Sequence, residues 1–244
     1  MTCPNCHSPN IATKFCPSCG QQSNLHRLSV SHLMHELNHA ITHTDKGFLF
    51  LIKDLAFRPG YVAKDYIEGK RKKYFNPLTF LVITSAIAAY LSHKAGYYQA
   101  FIKPNAKMHP VYLESMQLTV ENSKLLELIL IFPLMAFFSW LLFKRKQYNL
   151  AENAVLSSFI LGEMNLVKVL IGLPLFIFSD LGVKMIDNLF HVVMLIYFVV
   201  AFRQFFQQNI LLTILKTVLL TVGYIVGYWL VIALFVIVKN LILH

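Results

Sequence analysis

Charged residues are scarce in this chain. Asp, Glu, Lys and Arg make up 14% of its 244 residues, whereas soluble domains usually carry about 25%. So few charges leave too little polar surface for a water-soluble globule of this size. Disorder throughout is excluded too, because disordered chains lack aromatic residues and this one has 20 Phe and 11 Tyr. The composition, 56% hydrophobic, therefore indicates an integral membrane protein.

Cysteine is absent after residue 19. All four cysteines fall in Cys3-Pro-Asn-Cys6 and Cys16-Pro-Ser-Cys19. Two C-x2-C pairs at this spacing can wrap one tetrahedral ion, and four thiolates favour zinc, whose binding would supply the folding free energy of so short a segment. Disulfides would need an oxidising compartment, and a redox pair would need a βαβ unit that is not visible. We predict a structural zinc ribbon over residues 1–24, a closed site that is not catalytic.

Long apolar runs fill the chain after residue 76. They predict five transmembrane helices, since each run is compatible with a helix that crosses about 30 Å of hydrocarbon. The predicted spans are Leu78–Leu91, Leu125–Phe143, Ala154–Phe178, Val183–Phe202 and Ile210–Val238. The expected fold is an all-α polytopic membrane protein with a small N-terminal zinc ribbon. Residues 25–76 would form amphipathic juxtamembrane helices, and residues 77–244 would form the membrane domain.

The distribution of cations predicts the orientation of these spans. The first 22 residues contain no apolar stretch typical of a secretory signal, so we expect the N-terminus to stay on the side where it is made. With five spans, 15 of the 22 Lys and Arg residues lie on that side and six on the other. The positive-inside rule then places the N-terminus in the cytoplasm and the C-terminus outside.

Four consecutive cations, Lys70, Arg71, Lys72 and Lys73, precede the first predicted span. A basic run beside a membrane span marks the cytoplasmic side and can contact anionic lipid headgroups. A basic run with a zinc ribbon is also compatible with nucleic-acid binding, but these cations lie against the bilayer. We therefore expect the lipid bilayer and anionic lipids as partners, and no nucleic acid.

Histidines are concentrated before this run. His35, His39 and His43 share one helical face, and His35-Glu36-Leu37-Asn38-His39 matches the H-E-x-x-H pattern of zinc proteases. That chemistry needs a third ligand, and the position where the longer form of the motif has histidine is Asp45. The face therefore has three interpretations: a hydrolytic site, a second metal or proton-sensing cluster, or a polar helix face that contacts headgroups or a partner.

The third predicted span contains two ionisable residues, Glu163 and Lys168, and the amide residue Asn165. Ionisable groups at membrane depth are expensive and suggest function, although Lys168 could also snorkel to an interface. In the fifth span, Gly223 and Gly227 form a G-x-x-x-G pattern that predicts close packing against another helix.

Several motifs together resemble a bacterial zinc-ribbon membrane family, the one known as domain of unknown function 3667. They are the cysteine pairs, His39…His43-Thr44-Asp45-Lys46-Gly47, Arg58-Pro59-Gly60 and Gly69-Lys70-Arg71…Tyr74…Pro77, so the resemblance covers residues 1 to about 80. It implies a bacterial inner-membrane protein and no established activity. In that family His39 and His43 recur more dependably than His35, which argues against a protease.

The sequence leaves three functional classes open. We favour an interaction or scaffold protein whose zinc ribbon and juxtamembrane helices dock a cytoplasmic protein partner, with self-association left open. A small transporter or channel would use the polar residues of the third span. A membrane metallohydrolase would use the H-E-x-x-H stretch, but its constellation is incomplete, so we expect no enzyme and name no catalytic residue.

Overall fold

The computed structural model describes residues 2–9, 13–23, 27–31, 33, 47–97, 100, 116, 119–120, 122–143, 148–179 and 181–243. Within these ranges the regular structure is helical, and one isolated antiparallel bridge joins Phe15 to Gln22. The helices from residue 47 onward are α1 (Gly47–Phe57), α2 (Pro59–Ile67), α3 (Pro77–Lys94), α4 (Ser123–Leu142), α5 (Leu150–Phe178), α6 (Val183–Phe206) and α7 (Ile210–Leu243).

Four helices are long and apolar enough to cross a membrane. They are α4, α5, α6 and the Ile210–Lys239 part of α7. The protein is therefore a multi-pass membrane protein, and the described part of the chain is all-α as predicted. The first predicted span is α3, which has 18 residues but is not among the four. A count of five spans thus stays a prediction.

Helix α5 forms the centre of the bundle. Every residue from Ala151 to Leu166 is buried, because α1, α2, α3 and α4 all pack against this helix. The helix begins at Leu150, four residues before the predicted start, with Asn149 and Glu152 forming a reciprocal capping box. Polar residues in this first turn are satisfied by partners; Ser139 of α4, for example, donates a 2.6 Å hydrogen bond to Asn153.

Both α4 and α5 widen into π-helical turns. These turns are Glu127–Ile131 and Lys168–Gly172, and each is followed by a proline, Pro133 or Pro174, within two residues. Proline has no N–H and its ring crowds the preceding turn, so a widened turn lets the helix continue through it. The third predicted span is therefore one continuous helix despite its polar residues and proline.

Helix α2 packs on α6 and α5, and α1 packs on α2 and α5. Pro59 takes the first position of α2, where its missing N–H costs no hydrogen bond, and so α2 starts as a new helix directly after α1. Leu51 and Leu55 of α1 are fully buried against protein, while Leu49 remains exposed. The apolar side of this predicted juxtamembrane helix is thus partly a packing surface of the bundle.

The predicted glycine packing face lies between α7 and α4. A Cβ atom at Gly223 would lie 3.1 Å from the Phe138 ring, and one at Gly227 would lie 3.5 Å from Leu134. Both residues of the G-x-x-x-G pattern therefore contact a neighbouring helix closely, which confirms that prediction.

Candidate metal centre and its attachment to the bundle

The four cysteines lie on two similar turns. In the first turn His7 N–H donates to Cys3 O at 3.0 Å, and in the second Gly20 N–H donates to Cys16 O at 2.8 Å. The residue after each pair has a left-handed backbone, with φ of 58° at His7 and 70° at Gly20. Glycine adopts this conformation without a steric penalty, which explains why Gly20 follows the second pair.

The two turns bring all four sulfur atoms within 4.8 Å of one another. The Cys3–Cys19 and Cys6–Cys16 Sγ atoms are each 3.6 Å apart, too far for disulfide bonds. Four sulfurs at about 2.3 Å from a tetrahedral zinc ion would lie roughly 3.8 Å from each other. The cluster could therefore hold one metal ion, as the spacing predicted. With four protein ligands it would have no open position.

The four thiols do not have the same pKa. Burial alone would raise the pKa of Cys19, but hydrogen bonds from the Gln21 backbone and the Asn5 side chain lower that pKa to about 6. At Cys6 the Ser8 backbone favours the thiolate, yet burial and the three neighbouring thiols raise the pKa to about 12. A metal ion would have to displace the remaining protons, so binding should weaken as pH falls.

The cysteine unit, residues 2–9 and 13–23, is attached to the basic turn before α3. The buried Gln21 side chain accepts a 3.0 Å hydrogen bond from the Lys72 backbone N–H. The aliphatic end of Lys72 also lies beside Gly20, where its Cε would be 3.6 Å from an added Cβ. This contact joins two motifs that are about 50 residues apart in the sequence.

A second attachment follows the cysteine unit. The Arg27 guanidinium donates hydrogen bonds of 2.8 and 2.9 Å to the two carboxylate oxygens of Glu152, near the start of α5. Asn149 donates a 2.9 Å hydrogen bond to the Leu28 carbonyl, and the Leu28 side chain is buried in the core. The sequence offered no indication of the Arg27–Glu152 pair, because the two residues lie in different predicted domains.

Two cations of the basic run are paired within the protein. Lys70 lies 2.6 Å from the Asp65 carboxylate, while Lys73 lies 3.0 Å from the Tyr74 hydroxyl and 3.9 Å from Asp54. Burial alone would raise the pKa of Asp65, but the ammonium of Lys70 and the Tyr74 hydroxyl lower it. Burial, then the carboxylates of Asp54 and Asp65, raise the pKa of Tyr74.

Arg71 of the same run lies over the Tyr66 ring, 5.9 Å from its centroid, and Lys72 is exposed. The ion pairs of Lys70 and Lys73 were not foreseen, although Asp65 is only five residues from Lys70. Contact of Lys70, Arg71, Lys72 and Lys73 with lipid headgroups stays a prediction.

The polar residues of the third span do not form one site. Asn165 joins an interhelical cluster, donating at 2.7 Å to Glu127 and 3.0 Å to Ser85 and accepting at 2.5 Å from Lys124. The same Lys124 lies 2.5 Å from Glu127, so the cluster links α3, α4 and α5. Glu127 is the single acidic residue of the second predicted span, and this is the signal in the sequence for the cluster.

Lys168 and Glu163 have different surroundings. The Lys168 ammonium lies 4.6 Å from the Tyr97 ring centroid and 5.6 Å from that of Phe190, so aromatic faces stabilise this cation. Glu163 is buried, and its Oε2 atom has no hydrogen-bond partner among the described residues.

The histidine face lies outside the described residues. This applies to His35, His39 and His43 and to Glu36. Its three interpretations therefore stay predictions.

Comparison with known proteins adds a family resemblance. Residues 45–89 match the family model described as Protein of unknown function (DUF3667). This confirms the resemblance over α1, α2, the basic turn and most of α3, while the cysteine pairs and histidines 35, 39 and 43 precede the matched segment. No curated protein and no solved structure matches the chain. The DUF3667 match assigns no activity, and it is compatible with the membrane protein that the apolar helices indicate.

Proposed function

We propose that this protein is a membrane-anchored interaction protein, in which the cysteine unit binds zinc and docks a cytoplasmic protein partner. The observation that carries the proposal is the attachment of the unit to the bundle through Gln21–Lys72 and Arg27–Glu152. These contacts hold the unit in a defined position relative to the membrane helices. A zinc site with four cysteine ligands has no open position for substrate, which favours a structural role over a catalytic one.

The surface of the cysteine unit also suits recognition. Phe15 is 59% exposed although it lies next to the metal ligand Cys16 and pairs with Gln22 in the bridge. A large exposed aromatic side chain on a rigid unit is a typical anchor in protein interfaces. A metal ion would fix Phe15 by fixing Cys16, so partner binding is expected to depend on zinc.

We further propose that the unit lies in the cytoplasm and that the protein resides in the bacterial inner membrane. The excess of Lys and Arg on the side of the N-terminus supports this orientation. The basic turn that holds Gln21 would then lie at the anionic cytoplasmic leaflet, with Lys72 available to headgroups. The partner would approach along the membrane surface.

Crosslinking in cells tests this proposal. A photoreactive residue at Phe15 should give one defined protein adduct, and the adduct should disappear when Cys16→Ser removes a metal ligand. Met185, exposed at the opposite end of the bundle, is the matched control position and should give no such adduct. An adduct from Phe15 that survives Cys16→Ser, or the absence of any Phe15 adduct, would contradict the proposal.

A second candidate function is transport through the bundle. It is favoured by Glu163, whose buried carboxylate has an oxygen without a hydrogen-bond partner in the described part of the chain. Buried carboxyl groups of this kind carry protons or cations in many transporters. Flux across proteoliposomes that Glu163→Gln abolishes, at unchanged protein level, would favour transport over docking.

A further inference from the structure

A cavity of about 420 Å³ lies between α2 and the end of α6. Its volume is within the range of small-molecule sites, about 300 to 1,000 Å³. The residues of its wall that matter here are Tyr61, Val199, Val200, Arg203, Gln204 and Gln207. None of the residues that line it is acidic.

Three exposed polar residues line this cavity, and the polar groups of their side chains have no hydrogen-bond partner in the described part of the protein. The Arg203 guanidinium, the Tyr61 hydroxyl and the Gln207 side-chain amide make no hydrogen bond or ion pair with any residue in the described ranges. Gln204 differs, since its side chain accepts from Gly60 N–H and donates to the Phe57 carbonyl, both at 3.1 Å. Gln204 thus fixes α2 against α6, and the other three groups remain available to a ligand.

The cavity combines this polar part with an apolar wall. Arg203 lies three residues before the end of α6, at the depth where a span leaves the hydrocarbon. Val199 and Val200 lie one turn deeper, and Val200 is 39% exposed. Hydrogen-bond donors at the membrane interface, next to an exposed apolar wall, suit an amphiphilic ligand. A small anion would contact the donors but not the apolar wall.

We propose that this cavity binds the headgroup of an anionic phospholipid. The Arg203 guanidinium would donate a pair of N–H bonds to the phosphate, a geometry that arginine fits better than lysine. The Tyr61 hydroxyl and the Gln207 amide add donors, and an acyl chain lies along Val199 and Val200. This site is separate from the basic run, in which Lys70 and Lys73 already have acidic partners.

The test is a titration of the full-length protein in non-ionic detergent with short-chain phosphatidylglycerol. Arg203→Gln should weaken binding by about tenfold or more, because charge-assisted hydrogen bonds to the phosphate are lost. The matched control is Lys184→Gln, which removes the same charge from an exposed site at the opposite end of α6 and should leave affinity unchanged. Equal affinity of Arg203→Gln and the unchanged protein would overturn the proposal.

Two further ligands identify the source of the phosphate. Phosphatidylcholine should bind at least about tenfold more weakly than phosphatidylglycerol, since it has no net charge. Inorganic phosphate should not displace the lipid at equal concentration. Displacement by phosphate would show a simple anion site, and equal binding of phosphatidylcholine would show no recognition of charge; either result refutes a site for anionic lipid. If Arg203→Gln unfolds the protein, Tyr61→Phe decides, with an expected loss of about two- to fivefold from one hydrogen bond.

Discussion

The contact of α2 with α6 depends on a glycine that has no room for a side chain. A Cβ atom at Gly60 would lie 2.3 Å from the Ala201 carbonyl oxygen and 2.5 Å from the Phe205 backbone nitrogen. Both are backbone atoms of α6, so no side-chain rotation can relieve the overlap. In Gly60→Ala, α2 must move by roughly 1 Å to restore ordinary van der Waals separation.

Such a movement disrupts more than one contact. It lengthens the hydrogen bond from Gly60 N–H to Gln204, 3.1 Å here, and disturbs the bond from Tyr197 to the Leu55 carbonyl, 3.0 Å here. Overpacking of a close contact usually costs about 1–3 kcal/mol, and immobile backbone places this case at the upper end. For a chain of this size, about 3 kcal/mol corresponds to a fall in unfolding temperature of roughly 6–12 °C.

The assay is thermal unfolding of the purified protein in one detergent. Unfolding is monitored as the loss of the monodisperse peak in size-exclusion chromatography. Gly172→Ala is the control, because its Cβ would meet only the Lys168 side chain at 3.7 Å in the middle of a helix. Alanine is favoured over glycine there, so the control should be neutral or slightly stabilising. A Gly60→Ala protein that unfolds within about 2 °C of the unchanged protein would refute the packing of α2 on α6.

The remaining predictions concern the cysteine unit, the basic turn and the topology. Gln21→Ala should retain the metal but speed amide exchange at Lys72, whose N–H then loses its acceptor; unchanged exchange would contradict the attachment. The pKa of Asp65 is lowered in the folded state, so its contribution to stability is present above the unfolded value of about 3.9 and is lost as pH falls through the folded pKa. The difference in unfolding temperature between the unchanged protein and Asp65→Asn should therefore be constant from about pH 6 to 8 and should shrink below about pH 4, and a difference that grows on acidification would contradict the sign. Reporters fused after His244 and within residues 144–146 should lie outside and inside, respectively; two cytoplasmic signals would mean a different number of spans. Glu36→Gln should leave function and metal content nearly unchanged, and loss of function at normal protein level would make this stretch catalytic.

Features set by local composition were predictable from the sequence. Apolar runs identified the membrane helices because bilayer thickness fixes their length, and the C-x2-C spacing identified the cysteine cluster because tetrahedral ligation requires it. The start of α5 was placed too late because Glu152 and Asn153 look like loop residues. Only the capping box and the Arg27 and Ser139 contacts explain their burial inside a helix.

Which distant segments contact each other was not predictable. Nothing in the sequence around Gln21 indicates that its side chain accepts a hydrogen bond from Lys72. Arg203 has the sequence context of any cation at the end of a membrane span. Glu163, Asn165 and Lys168 were grouped because they are neighbours in sequence. Helical geometry and the packing of other helices separate them: Asn165 joins Glu127, whereas Lys168 lies on aromatic rings.

The proposed function requires that the four cysteines bind one zinc ion and that the membrane helices fold without it. Elemental analysis of the full-length protein, purified without chelator, measures this directly. We expect one zinc per chain, and we expect Cys16→Ser to lose this zinc while the membrane helices keep their helical content. Protein with intact helices and no stoichiometric metal would contradict it.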